Sequence, residues 1–142
     1  VEDDISTTII KTEIISSEIE KPETILVVED NEASREIVVL ALKKFGYKVL
    51  EANDGAKAME ICDQYRGMIK LLLTDVVMPE ISGKQLADML TQLHPEMKVL
   101  YMSGYTDDEI VRHGVMNNDF NFLQKPFKLT QLLEKIREVL DS

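Results

Sequence analysis

The sequence has one cysteine, no tryptophan, four prolines and six glycines in 142 residues, and aromatic side chains make up only 6% of it. A lone thiol, Cys62, excludes an internal disulfide framework and fits a reducing compartment. With no histidine near it in the chain, it is expected to pack in a helix face rather than to serve as a nucleophile. Bases are short as well: 16 Lys and Arg stand against 26 Asp and Glu, a formal charge of −10. That balance argues against a phosphate-backbone or anionic-membrane surface, so neither nucleic acid nor direct membrane contact is expected. No apolar run approaches the length of a membrane span or a signal-peptide core, which points to a soluble, cytoplasmic domain without its own export signal. What is present in quantity is apolar residue, 44% of the chain, enough for one domain with a sizeable core and a tail besides.

The tail is expected at residues 1–23. It holds seven acids against two bases, a net charge of −5, and its six isoleucines follow neither a helical nor a strand period. It reads as an acidic linker, although its β-branched residues would also let it pair with a sheet edge. The chain begins at Val1 rather than Met, and is taken as a piece of something longer.

From Thr24 a strand and helix alternation sets in. Ile25 to Val28 is a short, wholly apolar run, as a buried parallel strand requires, and it ends in Glu29-Asp30. A helix is expected from Glu32 to Phe45, with Ile37, Leu40, Ala41 and Phe45 on the packed face and Gly46 closing it. Tyr47 to Glu51 suits an edge strand. Asp54 opens a helix with Ala58, Cys62 and Tyr65 on one stripe, ended by Gly67. Ser82 opens another, with Leu86, Met89, Leu90 and Leu93 at helical spacing, stopped by Pro95. Strands follow at Val99 to Met102 and Asp119 to Leu123, with a short helix from Thr106 to about Gly114 between them. A last helix from Lys128 to Leu140 packs through Leu132, Leu133, Ile136, Val139 and Leu140. Five such units with short connections imply an α/β fold: a doubly wound, five-stranded parallel sheet with helices on both faces.

Leu71 to Pro79, Leu-Leu-Leu-Thr-Asp-Val-Val-Met-Pro, organises the rest. Three leucines suit a strand buried on both faces, and the run ends in one carboxylate, Asp75. Alone, Asp75 could be no more than a turn cap. In a parallel sheet, however, Glu29, Asp30, Asp75, Ser103 and Lys125 all fall at strand carboxyl ends, the rim where such sheets bind ligands. Asp30 as a helix cap, Ser103 as a turn residue and Lys125 as a surface lysine each remain open singly; the set is harder to dismiss.

The stretches Ile-Leu-Val-Val-Glu-Asp-Asn (25–31), Leu-Leu-Thr-Asp-Val-Val-Met-Pro-Glu-Ile-Ser-Gly (72–83), Met-Ser-Gly-Tyr (102–105) and Phe-Leu-Gln-Lys-Pro-Phe (122–127) together resemble the receiver domain of two-component response regulators. The resemblance covers Thr24 to Leu140 and implies a flavodoxin-like strand order of 2-1-3-4-5, with residues 24–142 as the receiver. It further implies that Asp75 is the phosphoacceptor and that Lys125 and Ser103 contact the phosphoryl group. Mg²⁺ would be held by Glu29, Asp30, Asp75 and the backbone carbonyl of Val77. The partner would be a histidine kinase domain or phosphotransfer protein. A cis Lys125-Pro126 peptide, and coupling of Ser103 to an aromatic at Phe122, follow from the same likeness, as does a phosphorylation-dependent contact around Ile110 to Phe122 that could form a dimer. Phe122 stands where the family often has Tyr, so it can bury but cannot donate a hydroxyl hydrogen bond. With Val77 and Tyr105 near the acceptor, a fairly long-lived phosphoryl group is expected.

The acidic lead-in and the run 101–108 look most like the C-terminal receiver of a hybrid sensor histidine kinase. A stand-alone regulator is the alternative, and a phosphorylation-independent pseudo-receiver a weaker one, since no site residue is lost. An aspartyl-nucleophile phosphatase would call for a second Asp where Val77 stands. A nucleotide-binding fold would call for a glycine-rich loop after the first strand.

Overall fold

A computed structural model describes residues 23–104 and 121–142. Within them lie β1 (Thr24–Val28), α1 (Glu32–Lys44), β2 (Lys48–Ala52), α2 (Gly55–Gln64), β3 (Leu71–Asp75), α3 (Gly83–Leu93), β4 (Lys98–Ser103), β5 (Phe122–Gln124) and α4 (Leu129–Asp141). The strands form one sheet in the order β2-β1-β3-β4-β5, every pairing parallel. The linker at residues 1–22 and the short helix expected from Thr106 lie outside the described residues, as does most of the contact surface expected at Ile110 to Phe122.

The apolar runs β1 and β3 are buried along their whole length, because helices cover both faces. On one side Leu26, Val28 and Leu72 pack with Ala58, Cys62, Leu86 and Leu90 of α2 and α3. On the other, Ile25, Val27, Leu71 and Leu73 meet Val38, Val39 and Leu42 of α1 and Leu132, Ile136 and Val139 of α4. Asn31, Asp54 and Ser82 cap the three helices that follow β1, β2 and β3, each side chain accepting from a backbone N–H three residues on. The first two of those helices start four and three residues past their strands, and the third, α3, is returned to the rim by Gly83 N donating to Val76 O. Gly46 takes the left-handed φ of 97° that lets the chain turn from α1 into β2.

Three expectations need correction. In α1 the packed face is Val38, Val39 and Leu42, whereas Ile37, Leu40 and Phe45 are 58%, 66% and 67% exposed. In α3, Met89 and Leu93 lie at the exposed margin and Ala87 is buried with Leu86 and Leu90. Helix α2 stops at Gln64, before Gly67, because Tyr65 turns extended; its ring packs on the core and its hydroxyl lies 3.3 Å from Thr24 Oγ1. Boundaries shift elsewhere by a residue or two, and β5 begins at Phe122.

Candidate functional site

Parallel register brings the strand ends together. Thr74 pairs with Val28, Asp75 with Met102, and Ser103 with Gln124, so the residues at or just past these positions share one rim. Glu29, Asp30, Asp75, Val77, Ser103 and Lys125 line one cleft of about 360 Å³, with Asn31, Met102 and Gly104. One carboxylate oxygen from each of Glu29, Asp30 and Asp75 lies within 4.8 Å of the others. Glu29 and Asp75 are buried and Asp30 is exposed, so two acids form the floor and the third the mouth.

Lys125 supplies the counter-charge. Its Nζ donates to Glu29 Oε1 at 2.7 Å and stands 2.8 Å from Asp75 Oδ1. The second approach is an ion pair but is not directed as a hydrogen bond. Asp75 Oδ1 is fully buried and has no hydrogen bond from the described residues. Glu29 Oε2 accepts from the Asn31 N–H at 3.0 Å. The Lys125-Pro126 peptide is cis, and Lys125 N donates to Ser103 O at 2.8 Å, extending the β4–β5 ladder one step to the cleft.

Burial pushes the Asp75 carboxyl up to about 8, helped by its hydrogen bond and charge contact with Glu29 and only partly opposed by Lys125. For Glu29 burial acts in the same direction, but hydrogen bonds with Asp75, Lys125 and the Asn31 N–H outweigh it and hold the group below its usual range. Burial also disfavours the Lys125 cation, yet its two carboxylate partners prevail and raise its pKa. Without a cation in the cleft, one proton therefore stays on Asp75 near neutral pH. Three carboxylates bring hard oxygen donors together here, one of them a buried oxygen whose neighbour is the Lys125 ammonium, and such a set suits a divalent cation such as Mg²⁺.

The loop after β3 is fixed by backbone. Val76 N donates to Met102 O at 2.9 Å and Gly83 N to Val76 O at 2.7 Å. A Cβ at Gly83 would collide with the Asp75 carbonyl, so the first turn of α3 can approach the acid only because residue 83 has no side chain. Glu80 takes a left-handed φ of 71° in that loop. Phe122 lies apart from the cleft, half-buried on β5 opposite Tyr101.

Arg35 escapes a reading that looks only at strand ends. From the first turn of α1 its Nη1 donates to the Glu29 carbonyl at 2.8 Å and its Nε to Glu51 Oε1 at 3.0 Å. The available signal was its position, four residues after the Asn31 cap, on the turn of helix that faces β1 and β2.

Residues 25–137 match the response regulator receiver domain family. The sensor kinase CckA of Brucella abortus is 40% identical over 119 residues, which make up 84% of this chain and 13% of that protein. The response regulator receiver protein CpdR of the same organism is 35% identical over 116 residues, 82% of this chain and 95% of CpdR. The chain thus spans a small part of the one and nearly all of the other. The crystal structure of the receiver domain from the hybrid histidine kinase CckA superposes with a TM-score of 0.70 at 34% identity, over 82% of this chain and 98% of that one. The acidic rim, all of the sheet but its first residue and all of the helices but the end of α4 fall inside the matched span, and the chain belongs to the response regulator receiver domains of two-component signalling.

Proposed function

We propose that this domain accepts a phosphoryl group onto Asp75 from the phosphohistidine of a histidine kinase domain or phosphotransfer protein. An Asp75 oxygen attacks phosphorus, the P–N bond breaks, its electron pair stays on the imidazole, and an acyl phosphate forms. The observation that carries the reading is the joint placement of Asp75 at the carboxyl end of β3, the Glu29 and Asp30 carboxylates beside it, and Lys125 Nζ 2.8 Å from its Oδ1.

Glu29, Asp30, Asp75 and the Val77 carbonyl would hold Mg²⁺. The bound ion would neutralise charge shared among the carboxylates and phosphoryl oxygens, and would favour the ionised, nucleophilic form of Asp75. Lys125, already paired with Asp75, would pass to the phosphoryl oxygens, and the Ser103 hydroxyl at the end of β4 would donate to them. Phe122, opposite Tyr101 on β5, would carry the change outward as the switch aromatic. We place the domain within a hybrid sensor histidine kinase, on its likeness to the CckA receiver; the likeness to CpdR supports a stand-alone regulator as the second reading.

Intact mass after incubation with acetyl phosphate and Mg²⁺ tests the proposal, beside an Asp75→Asn variant and an EDTA control. One phosphoryl adduct that requires both Asp75 and the metal is expected. No adduct in the wild type would overturn the proposal and leave the pseudo-receiver reading.

A further inference from the structure

We propose that Arg35 is a positioning residue for the acidic pair, setting cation affinity through the peptide backbone of Glu29; this rests on the metal-site reading above. The Glu29 backbone is held through the peptide groups on both sides of its Cα. Its N–H donates to Ala52 O of β2 at 3.1 Å, and its carbonyl accepts from Arg35 Nη1 at 2.8 Å. With both ends fixed, the direction in which the Glu29 and Asp30 side chains leave the chain is fixed as well.

Arg35 is itself constrained. Its backbone N–H donates to Asn31 O at 2.9 Å, and its Nε is paired with Glu51 Oε1 at 3.0 Å. The side chain is only 15% exposed, whereas Glu51 is 46% exposed. A residue needed only to fasten α1 to β2 could do so through Glu51 alone. Here the more enclosed arm ends instead on the carbonyl that leads into the acidic pair. A planar guanidinium can bond the carbonyl and the carboxylate at once in a fixed geometry, which a lysine ammonium would not reproduce. Groups that orient metal-binding residues in this way typically change metal affinity about 10- to 100-fold when removed.

The test is Mg²⁺ titration of the whole chain by calorimetry, with amide NMR of Glu29 to Asn31 as a metal-free readout. Arg35→Met is expected to raise the Mg²⁺ Kd about tenfold and to shift those amides before metal is added. Glu51→Gln, which leaves the carbonyl bond in place, should raise it less. Ile136→Val, in the core under α4, controls for lost stability and should leave the Kd unchanged. A wild-type Kd in Arg35→Met, with binding weakened in Asp30→Asn, would overturn the role of Arg35 alone. An Ile136→Val chain that loses as much affinity would do the same. No Mg²⁺ binding in the wild type, or normal binding in Asp30→Asn, would overturn the metal-site reading and this one with it.

Discussion

Replacing Asp75 with asparagine should stabilise the metal-free protein, and by an amount that grows with pH. Asp75 is 6% exposed and its carboxyl is raised from 3.8 to about 8, chiefly by burial and then by Glu29. The folded chain therefore keeps a proton that the unfolded chain has released. Stability contributed by that proton is fully present below 3.8 and is lost as pH rises toward about 8. The slope is at most about 1.4 kcal/mol per pH unit, so the ceiling between about pH 5.5 and 8 is roughly 3 kcal/mol. The softening by the nearby Lys125 ammonium is already contained in that shift, and because the slope flattens as the folded group titrates at about 8, a fall on the order of 2–3 kcal/mol is expected. The lowered Glu29 works in the opposite sense, but only where pH falls below the usual carboxylate range, outside this window.

Asparagine keeps the shape of the protonated acid, can still donate to Glu29, and has no proton to lose. Urea unfolding followed by far-UV circular dichroism, in EDTA, provides the assay. At about pH 4 the two proteins should unfold at similar midpoints; at about pH 5.5 the variant should already be more stable by roughly 2 kcal/mol, and by about pH 8 the gap should widen by on the order of a further 1 M urea. Taking the difference between the proteins cancels every shared titrating group that Asp75 does not touch; Glu29 and Lys125, which do touch it, titrate outside the window from about pH 5.5 to 8. Adding Mg²⁺ at about 100 times its Kd should then stabilise the wild type by about 2.7 kcal/mol and the variant by much less. Parallel pH profiles, or an asparagine variant less stable at pH 8, would refute the argument that a buried, poorly compensated carboxylate strains this cleft.

Other substitutions probe the rest of the site and core. Gly83→Ala must push α3 away from the Asp75 carbonyl, and should cost about 1–3 kcal/mol in urea unfolding together with a clear loss of acetyl phosphate labelling. A Gly83→Ala protein labelled at the wild-type rate would show that this close approach does not hold the acceptor. Leu42→Ala, fully buried, should lose about 2–5 kcal/mol, while Leu40→Ala, 66% exposed, should stay within about 0.5 kcal/mol; equal losses would contradict the packing of α1. With Val77 beside the acceptor, the Asp75 phosphoryl group should persist well beyond seconds in Mg²⁺ buffer, read as decay of the mass adduct after the donor is removed.

The sheet and its rim were legible because both rest on short-range patterns. Short apolar runs, Ile25 to Val28 before Glu29-Asp30, Leu71 to Leu73 before Thr74-Asp75 and Val99 to Met102 before Ser103, specify buried parallel strands and where they stop, and a parallel register puts the ends together. Helix α1 was misread because it carries two apolar stripes. Ile37, Leu40, Ala41 and Phe45 have helical spacing, and so do Val38, Val39 and Leu42. The spacing i, i+3, i+4, i+7 is complete for 35, 38, 39 and 42, but its first member is Arg35, which a hydrophobicity pattern counts against that face. The structure accepts a charge there because the guanidinium has two oxygen partners, the Glu29 carbonyl and the Glu51 carboxylate. Glu51 belongs to another strand and the carbonyl belongs to every residue alike, so neither partner is visible in a one-dimensional pattern. The residue that hid the buried face of α1 is thus the one that ties that face to the acidic cleft, so the misplaced face of this helix and the omission of Arg35 from the site have a single cause.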